Sequence, residues 1–250
     1  MERLNPTLAA LGLALLAVFG AHLLDGGDLG TLLHGTALLI VLGGIFSAVL
    51  LQTPPAVLRR GMALARCLRE EQPQADHESM IQDMVQHSRL TRSNGFLALE
   101  PVALIEDDPF RRRALEMLVD GVEPEELQRT LAIDIETWES RERQAARVWE
   151  SMGAYAPTMG ILGAVMGLIQ VMQNLSQPAA LGSGIAVAFV STLYGVGLAN
   201  LLFLPLANRI KARIAEETRL RRMLVEGYGA VAAGIHPRLV ERRLRGHLAA

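Results

Sequence analysis

The sequence predicts an all-α integral membrane protein: four transmembrane helices in two hairpins, a helical cytoplasmic domain, and helices three and four extended into the cytosol. Three observations predict it. Residues 151–208 carry no charged side chain, a run well over twice the roughly 20 apolar residues that cross a bilayer. Two further uncharged runs, Leu4–Leu24 and Leu29–Leu58, precede it. Charge is instead concentrated in residues 59–150 and after Asn208, so the modest charged fraction of 20% conceals a sharp segregation.

Taken in order, Leu4–Leu24 is too long for the apolar core of a signal peptide and reads as the first span. Asp25-Gly26-Gly27-Asp28 forms a tight acidic turn. The second span follows at about 31–51, and Pro54-Pro55 marks its exit. The uncharged 151–208 stretch divides at Gln173-Asn174-Leu175-Ser176-Gln177-Pro178 into spans at about 152–172 and 181–207. Four segments result: a first hairpin at 1–51, a cytoplasmic helical domain at 52–150, a second hairpin at 151–208, and a basic helical tail at 209–250. Neither hairpin turn contains Lys or Arg, and every basic residue but Arg3 flanks the inner ends of the spans or lies beyond them. Basic flanks stay in the cytoplasm, so both termini lie inside.

In the cytoplasmic domain, Asp108-Pro109 is an N-cap followed by proline at the first helical position. The helix it starts places Phe110, Ala114, Leu115, Leu118 and Val119 on one face. Gly121 breaks that helix and Pro124 opens another, which nothing interrupts before the membrane. From Glu125 to Asn174 it is expected to run about 75 Å. Residues 209–233 read as a prolongation of the fourth span.

The chemistry is conspicuous for what it lacks. No acidic or basic side chain lies inside a span, although such groups mark ion paths. His22 and His34 fall near the outer helix ends, where an imidazole reaches the interface cheaply. A self-sufficient pump is therefore excluded. The net charge of −2 argues against a nucleic-acid binder, and lone Cys67 permits neither an intrachain disulfide nor a thiolate metal cage. No nucleotide loop, zinc-protease motif or catalytic triad is present, so no enzyme, catalytic residue, metal or cofactor is expected. Small residues recur every four positions: Ala156-Gly160-Ala164, Gly163-Gly167, Ser191-Gly195-Ala199, Gly43-Ser47 and Gly44-Ala48. That spacing lets helix backbones approach closely in lipid, within one subunit or between copies. Thr192, beside Ser191, is a mid-span hydroxyl that either bonds back to the carbonyl four residues earlier or serves an ion or a partner's carboxylate. Pro157 and Pro205 each remove a backbone donor at the cytoplasmic level of a long helix, where a hinge is useful.

The segments APTMGILGAVMGLIQVM, AVAFVSTLYGVGLANLLFLPLA, TRSNGFLALE and HPRLVERRLRGHL resemble the MotA/PomA family, the A subunits of bacterial flagellar stators and relatives of the ExbB and TolQ energisers. The resemblance implies a bacterial inner-membrane protein forming a pentamer around a dimer of MotB/PomB-like single-span subunits, which supply the missing intramembrane Asp. Ion flow through that Asp drives torque on the rotor protein FliG. Carried over by motif, the resemblance makes Arg92 and Glu100 rotor-facing, with Arg89 a further candidate. It makes Pro157 and Pro205 the conformational hinge, and Thr192 a lining of the ion path with Ser191 beside it. Sodium-driven members carry a second Thr where this chain has Ala164, which removes a ligand Na+ would want. The transported ion is therefore expected to be H+, with Na+ the alternative because the overall sequence looks nearer to PomA. The competing readings are an ExbB/TolQ-like energiser of another envelope machine and a passive membrane scaffold.

Overall fold

A computed structural model describes residues 29–68 and 77–248, with isolated positions between 12 and 26. The expected first span, with His22, lies almost entirely outside the described residues. The described elements are helical. A 3-10 turn at Leu29–Leu32 leads into α1 (Gly35–Gln52), followed by α2 (Pro55–Cys67), α3 (His77–Asn94) and a 3-10 turn at Phe96–Leu99. Then come α4 (Glu100–Ile105), α5 (Pro109–Val119), α6 (Pro124–Gln173) and α7 (Pro178–Gly197). A π-helical turn at Leu198–Phe203 joins α7 to α8 (Leu204–Ala232), and α9 (Pro237–Leu248) ends the chain. Among the described residues, three helices are long and apolar enough to cross a membrane: Gly35–Gln52, Pro124–Gln173 and the run Leu181–Ala232.

Chain contacts divide the protein into two units, residues 1–66 with 144–210 and residues 67–143 with 211–250. The first is built on the antiparallel pairing of the last part of α6 with α7. Gly160 and Gly195 sit where the two backbones cross most closely. A Cβ on Gly195 would meet the Ala156 carbonyl oxygen at 2.5 Å and the Gly160 Cα at 3.0 Å. Further out, a Cβ on Gly167 would meet the Gly184 carbonyl oxygen at 2.6 Å. The small-residue stripes of the third and fourth spans therefore pack against one another inside this chain. The α1 stripe divides: Gly44 takes the Met159 side chain, whereas nothing lies within 4 Å of Gly43 and Ser47 is exposed.

Four hydrogen bonds pin the remaining elements of this unit. The Tyr194 hydroxyl donates to the Leu32 carbonyl (2.5 Å) and accepts the His34 backbone N–H (3.2 Å), tying α7 to the entry of α1. Tyr155 donates to Gln52 Oε1 at 3.0 Å. Trp149 is buried with its Nε1–H on the Gly61 carbonyl at 2.9 Å, its ring 6.2 Å from that of Phe203. A side chain at Gly61 would strike the Ala145 carbonyl at 2.8 Å, so glycine lets α2 seat on α6 there.

Leu198–Phe203 is a local departure from the expected α-helix. Pro205 has no N–H to offer the Leu201 carbonyl. The preceding turn widens instead, and the Leu204 N–H reaches back five residues to Ala199.

The second unit packs α3–α5, the first part of α6, the later part of α8 and α9 around one apolar core, including Ile81, Leu99, Leu115, Leu131, Met223, Tyr228 and Leu244. Asp108 Oδ1 accepts the Phe110 N–H at 2.9 Å, the expected cap of α5. Phe110, Ala114, Leu115 and Leu118 are buried, while Val119 is half-buried at the edge of that face. Gly121 follows with φ +69°, and Pro124 opens α6. The helix runs unbroken to Gln173, one residue short of the expected end. Arg221 stacks on aromatic faces, 4.0 Å from the Trp138 centroid and 5.3 Å from that of Phe110.

Replacing Gly195 with Ala forces apart two backbones that have no slack. It is expected to cost at least the 1–3 kcal/mol typical of over-packing, about a tenfold or greater loss of folded, detergent-stable protein from the membrane fraction. Gly43→Ala, facing open space, is expected to leave the yield unchanged.

Candidate functional site: an uncharged helix face and a charged helical edge

At 100° per residue, the α6 residues in the helix seam are Ala156, Gly160, Gly163 and Gly167, and those of α7 are Gly184, Ala188, Ser191 and Gly195. Ile40 of α1 approaches at Gly163, which places α1 on one flank of this pair. The opposite flank carries Pro157, Ile161, Ala164 and Leu168 from α6, and Ile185, Phe189, Thr192 and Val196 from α7. Phe189 is 75% exposed, Ile161 59% and Leu168 55%, so this flank is uncovered in the isolated chain. It contains no charge.

Thr192 is the polar group of that flank. It is exposed, its Cα lies near Gly160, and its hydroxyl donates to the Ala188 carbonyl at 3.2 Å. The back-bonded alternative is thus the state of the isolated chain. The hydroxyl oxygen keeps its lone pairs for an ion or for a donor on a partner. Ala164, half-buried, lies on the same flank. Ser191 is separated from them: it is fully buried, and its Oγ lies in the seam beside Gly163 with no hydrogen-bond partner.

Pro157 and Pro205 are both half-buried. Gly153, whose carbonyl loses its acceptor role to Pro157, packs on Leu204, the neighbour of Pro205. The two turns weakened by proline therefore meet.

The expected rotor-facing residues lie in the second unit. Arg89 and Arg92 are exposed on α3, and Glu100 is the exposed first residue of α4. Arg92 Nη1 donates to the Gly234 carbonyl at 2.8 Å, while Arg89 and Glu100 have no ionic partner among the described residues. Sequence reading passed over the group behind them. Arg111 bonds Asp83 at 2.8 Å and lies 3.1 Å from Glu106, joining α3 to the α4–α5 turn. Its partners lie far apart in sequence, so no local spacing signals them. His87, one turn from Asp83, is buried with its Nδ1 unpaired. Burial pushes its pKa below the ordinary 6.5 despite the attraction of Asp83, and Arg111 pushes the same way as burial.

Apolar helices long enough to cross a bilayer, paired through small residues and joined to a charged helical unit, define a helical membrane protein. A family model described as the MotA/TolQ/ExbB proton channel family matches residues 103–223. Motility protein A of Bacillus subtilis is 33% identical over 98% of this chain and 90% of its own length. Chemotaxis protein PomA of Vibrio alginolyticus is 31% identical, over 89% and 87% respectively. Among solved structures, C. jejuni MotAB superposes with a TM-score of 0.88 at 27% identity, covering 99% of this chain and 96% of the other. The flagellar MotAB stator complex of Bacillus subtilis gives 0.85 at 33%, covering 94% and 92%. The chain belongs to the MotA/PomA branch of this channel family, the stator subunits of the flagellar motor.

His87 gives a pH signature. Only the unfolded chain takes up its proton near pH 6.5, so the His87 contribution is intact above that value. It is lost as pH falls toward the lowered folded pKa. The melting temperature of the purified complex is expected to drop between pH 7 and 5.5, and His87→Gln to flatten that part of the profile.

Proposed function

We propose that the chain is the A subunit of a proton-driven flagellar stator, and that the Pro157–Leu168/Ile185–Val196 flank receives a single-span B subunit carrying the intramembrane Asp. The observation that carries this reading is the uncovered flank itself. Apolar residues at 42–75% exposure surround one hydroxyl, and no carboxylate among the described residues faces it. A proton path needs a titratable group there. A helix bearing an Asp fits the apolar surface and places the carboxylate beside Thr192 Oγ1.

In this mechanism Thr192 holds the partner's Asp or its ion by a hydrogen bond made at one stage of the cycle. Ala164 offers no oxygen, so the flank lacks the second ligand that would favour Na+ over H+. Relief of the Asp charge on protonation shifts the partner helix, and the Pro157 and Pro205 turns absorb the displacement. Five copies around two B subunits, termini inside, turn against FliG through Arg89, Arg92 and Glu100.

The test is rotation of tethered cells lacking other stators and supplied with this chain and a B subunit. Rotation independent of Na+ at fixed pH is expected; speed tracking Na+ would overturn the proton assignment. Thr192→Val, close in shape, is expected to assemble normally but to lower ion flux and torque about tenfold, the worth of one hydrogen bond to a charged group. Glu100→Lys with Arg89→Glu is expected to spare ion flux and remove torque, since neither residue holds the fold together. Undiminished torque would dissociate these charges from the rotor.

A further inference from the structure

Among the described residues, Phe96–Ile105 is an apolar helical stretch too short to cross a membrane, and it lies in the charged second unit rather than in a span. Its inner side is spoken for: Leu99 and Ala103 are buried in the core. Its outer side is anomalous. Leu97 is 72% exposed, Leu104 77% and Ile105 80%. Helical spacing puts Leu97, Glu100 and Leu104 in one line, with a carboxylate between two leucines. Grouped apolar exposure of this kind marks an interaction surface.

Beside this line opens a cavity of about 620 Å³, bounded in part by Arg89, Leu90, Ser93, Val102, Ile105 and Asp107. It joins the apolar face to a second set of charges. Neither Arg89 nor Asp107 has an ionic partner among the described residues, and the same holds for Glu100. The surface thus presents three leucine and isoleucine side chains interleaved with unspent charge of both signs.

That composition selects its occupant. Lipid does not accept a row bearing Glu100. The core of a permanent interface between copies is depleted of charge, whereas a surface that is engaged and released keeps charges among its apolar anchors. We propose that Leu97, Leu104 and Ile105 form the apolar anchor of the rotor-docking surface. In this arrangement the face binds a helix of the rotor protein presenting an apolar stripe flanked by a basic group for Glu100 and an acidic group for Arg89. The leucines hold the rotor helix close enough for the charges to act at short range. This rests on the stator reading above and adds to it the contact that transmits force.

The test uses the intact A–B stator in cells lacking other stators. Leu97→Ser and Leu104→Ser, singly and together, are compared with wild type and with Leu97→Met. Three quantities are read: size of the purified complex, ion flux, and torque on a tethered bead. Binding of the purified complex to immobilised FliG is measured alongside. The double serine variant is expected to keep complex size and ion flux while binding FliG about tenfold more weakly and losing torque, as loss of a central apolar anchor does. Leu97→Met is expected to behave as wild type. Undiminished torque and FliG binding in the double variant would overturn the proposal. A complex that falls apart would also overturn it, assigning the face to a neighbouring copy. If wild type itself assembles and conducts but never rotates, the stator reading fails and this proposal falls with it. If wild type rotates and the leucine variants do too, the stator reading stands and only the anchor is lost.

Discussion

The close crossing of α6 and α7 is the constraint on which the membrane-facing unit depends. In lipid, burying apolar side chains gains little over leaving them in the acyl chains, so helices hold together through van der Waals contact at short range. Gly160 and Gly195 permit that range, with the Ala156 carbonyl 2.5 Å from where a Gly195 Cβ would stand. Everything else in the unit is positioned from this seam. Ser191 is sealed inside it, Thr192 is turned one step out of it, and α1 lies on the flank away from Thr192. A register slip of one residue that put Thr192 in the seam would turn Ser191 to the place of Val190, leaving no hydroxyl on that flank.

The second recurring theme is an incomplete site. Membrane helices with no internal charge are stable and inert, and this chain keeps its spans in that state. The flank around Thr192 and Ala164 is apolar, and no described residue supplies a titratable group to it. The two proline turns each lack one backbone donor and carry no charge. At Pro205 the missing donor is absorbed by a π turn, and Gly153 brings the Pro157 turn against Leu204.

In the second unit the counterpart of the seam is Arg111. It draws Asp83 of α3 and Glu106 of the α4–α5 turn together across 28 and five residues of sequence, fixing how α4 is presented. Because Arg111 is engaged there, Arg89, Glu100 and Asp107 are left to act outward. Buried His87 beside this group makes the presentation sensitive to acid, in the direction set by its lowered pKa.

The sequence by itself determined the class of fold, the second to fourth apolar helices, the capped start of α5, the length of α6 and the family. Each of these follows from local rules: charge cannot be left in lipid, proline cannot donate, and an Asx cap acts within three residues. It also pointed to Thr192, Pro157, Pro205, Arg92 and Glu100 as residues, through motif rather than through neighbourhood. Tertiary structure alone decided which groups act together. Thr192 and Ala164 share a flank while Ser191 does not, because only helix pairing defines inside and outside for two adjacent hydroxyls. The small-residue stripes of the third and fourth spans pack within the chain rather than waiting for a copy, the Trp149–Gly61 bond spans 88 positions, and Leu97 and Leu104 face outward while Leu99 faces in. Those facts depend on contacts between residues distant in sequence, and no periodicity along a single chain encodes which distant partner a given face will meet.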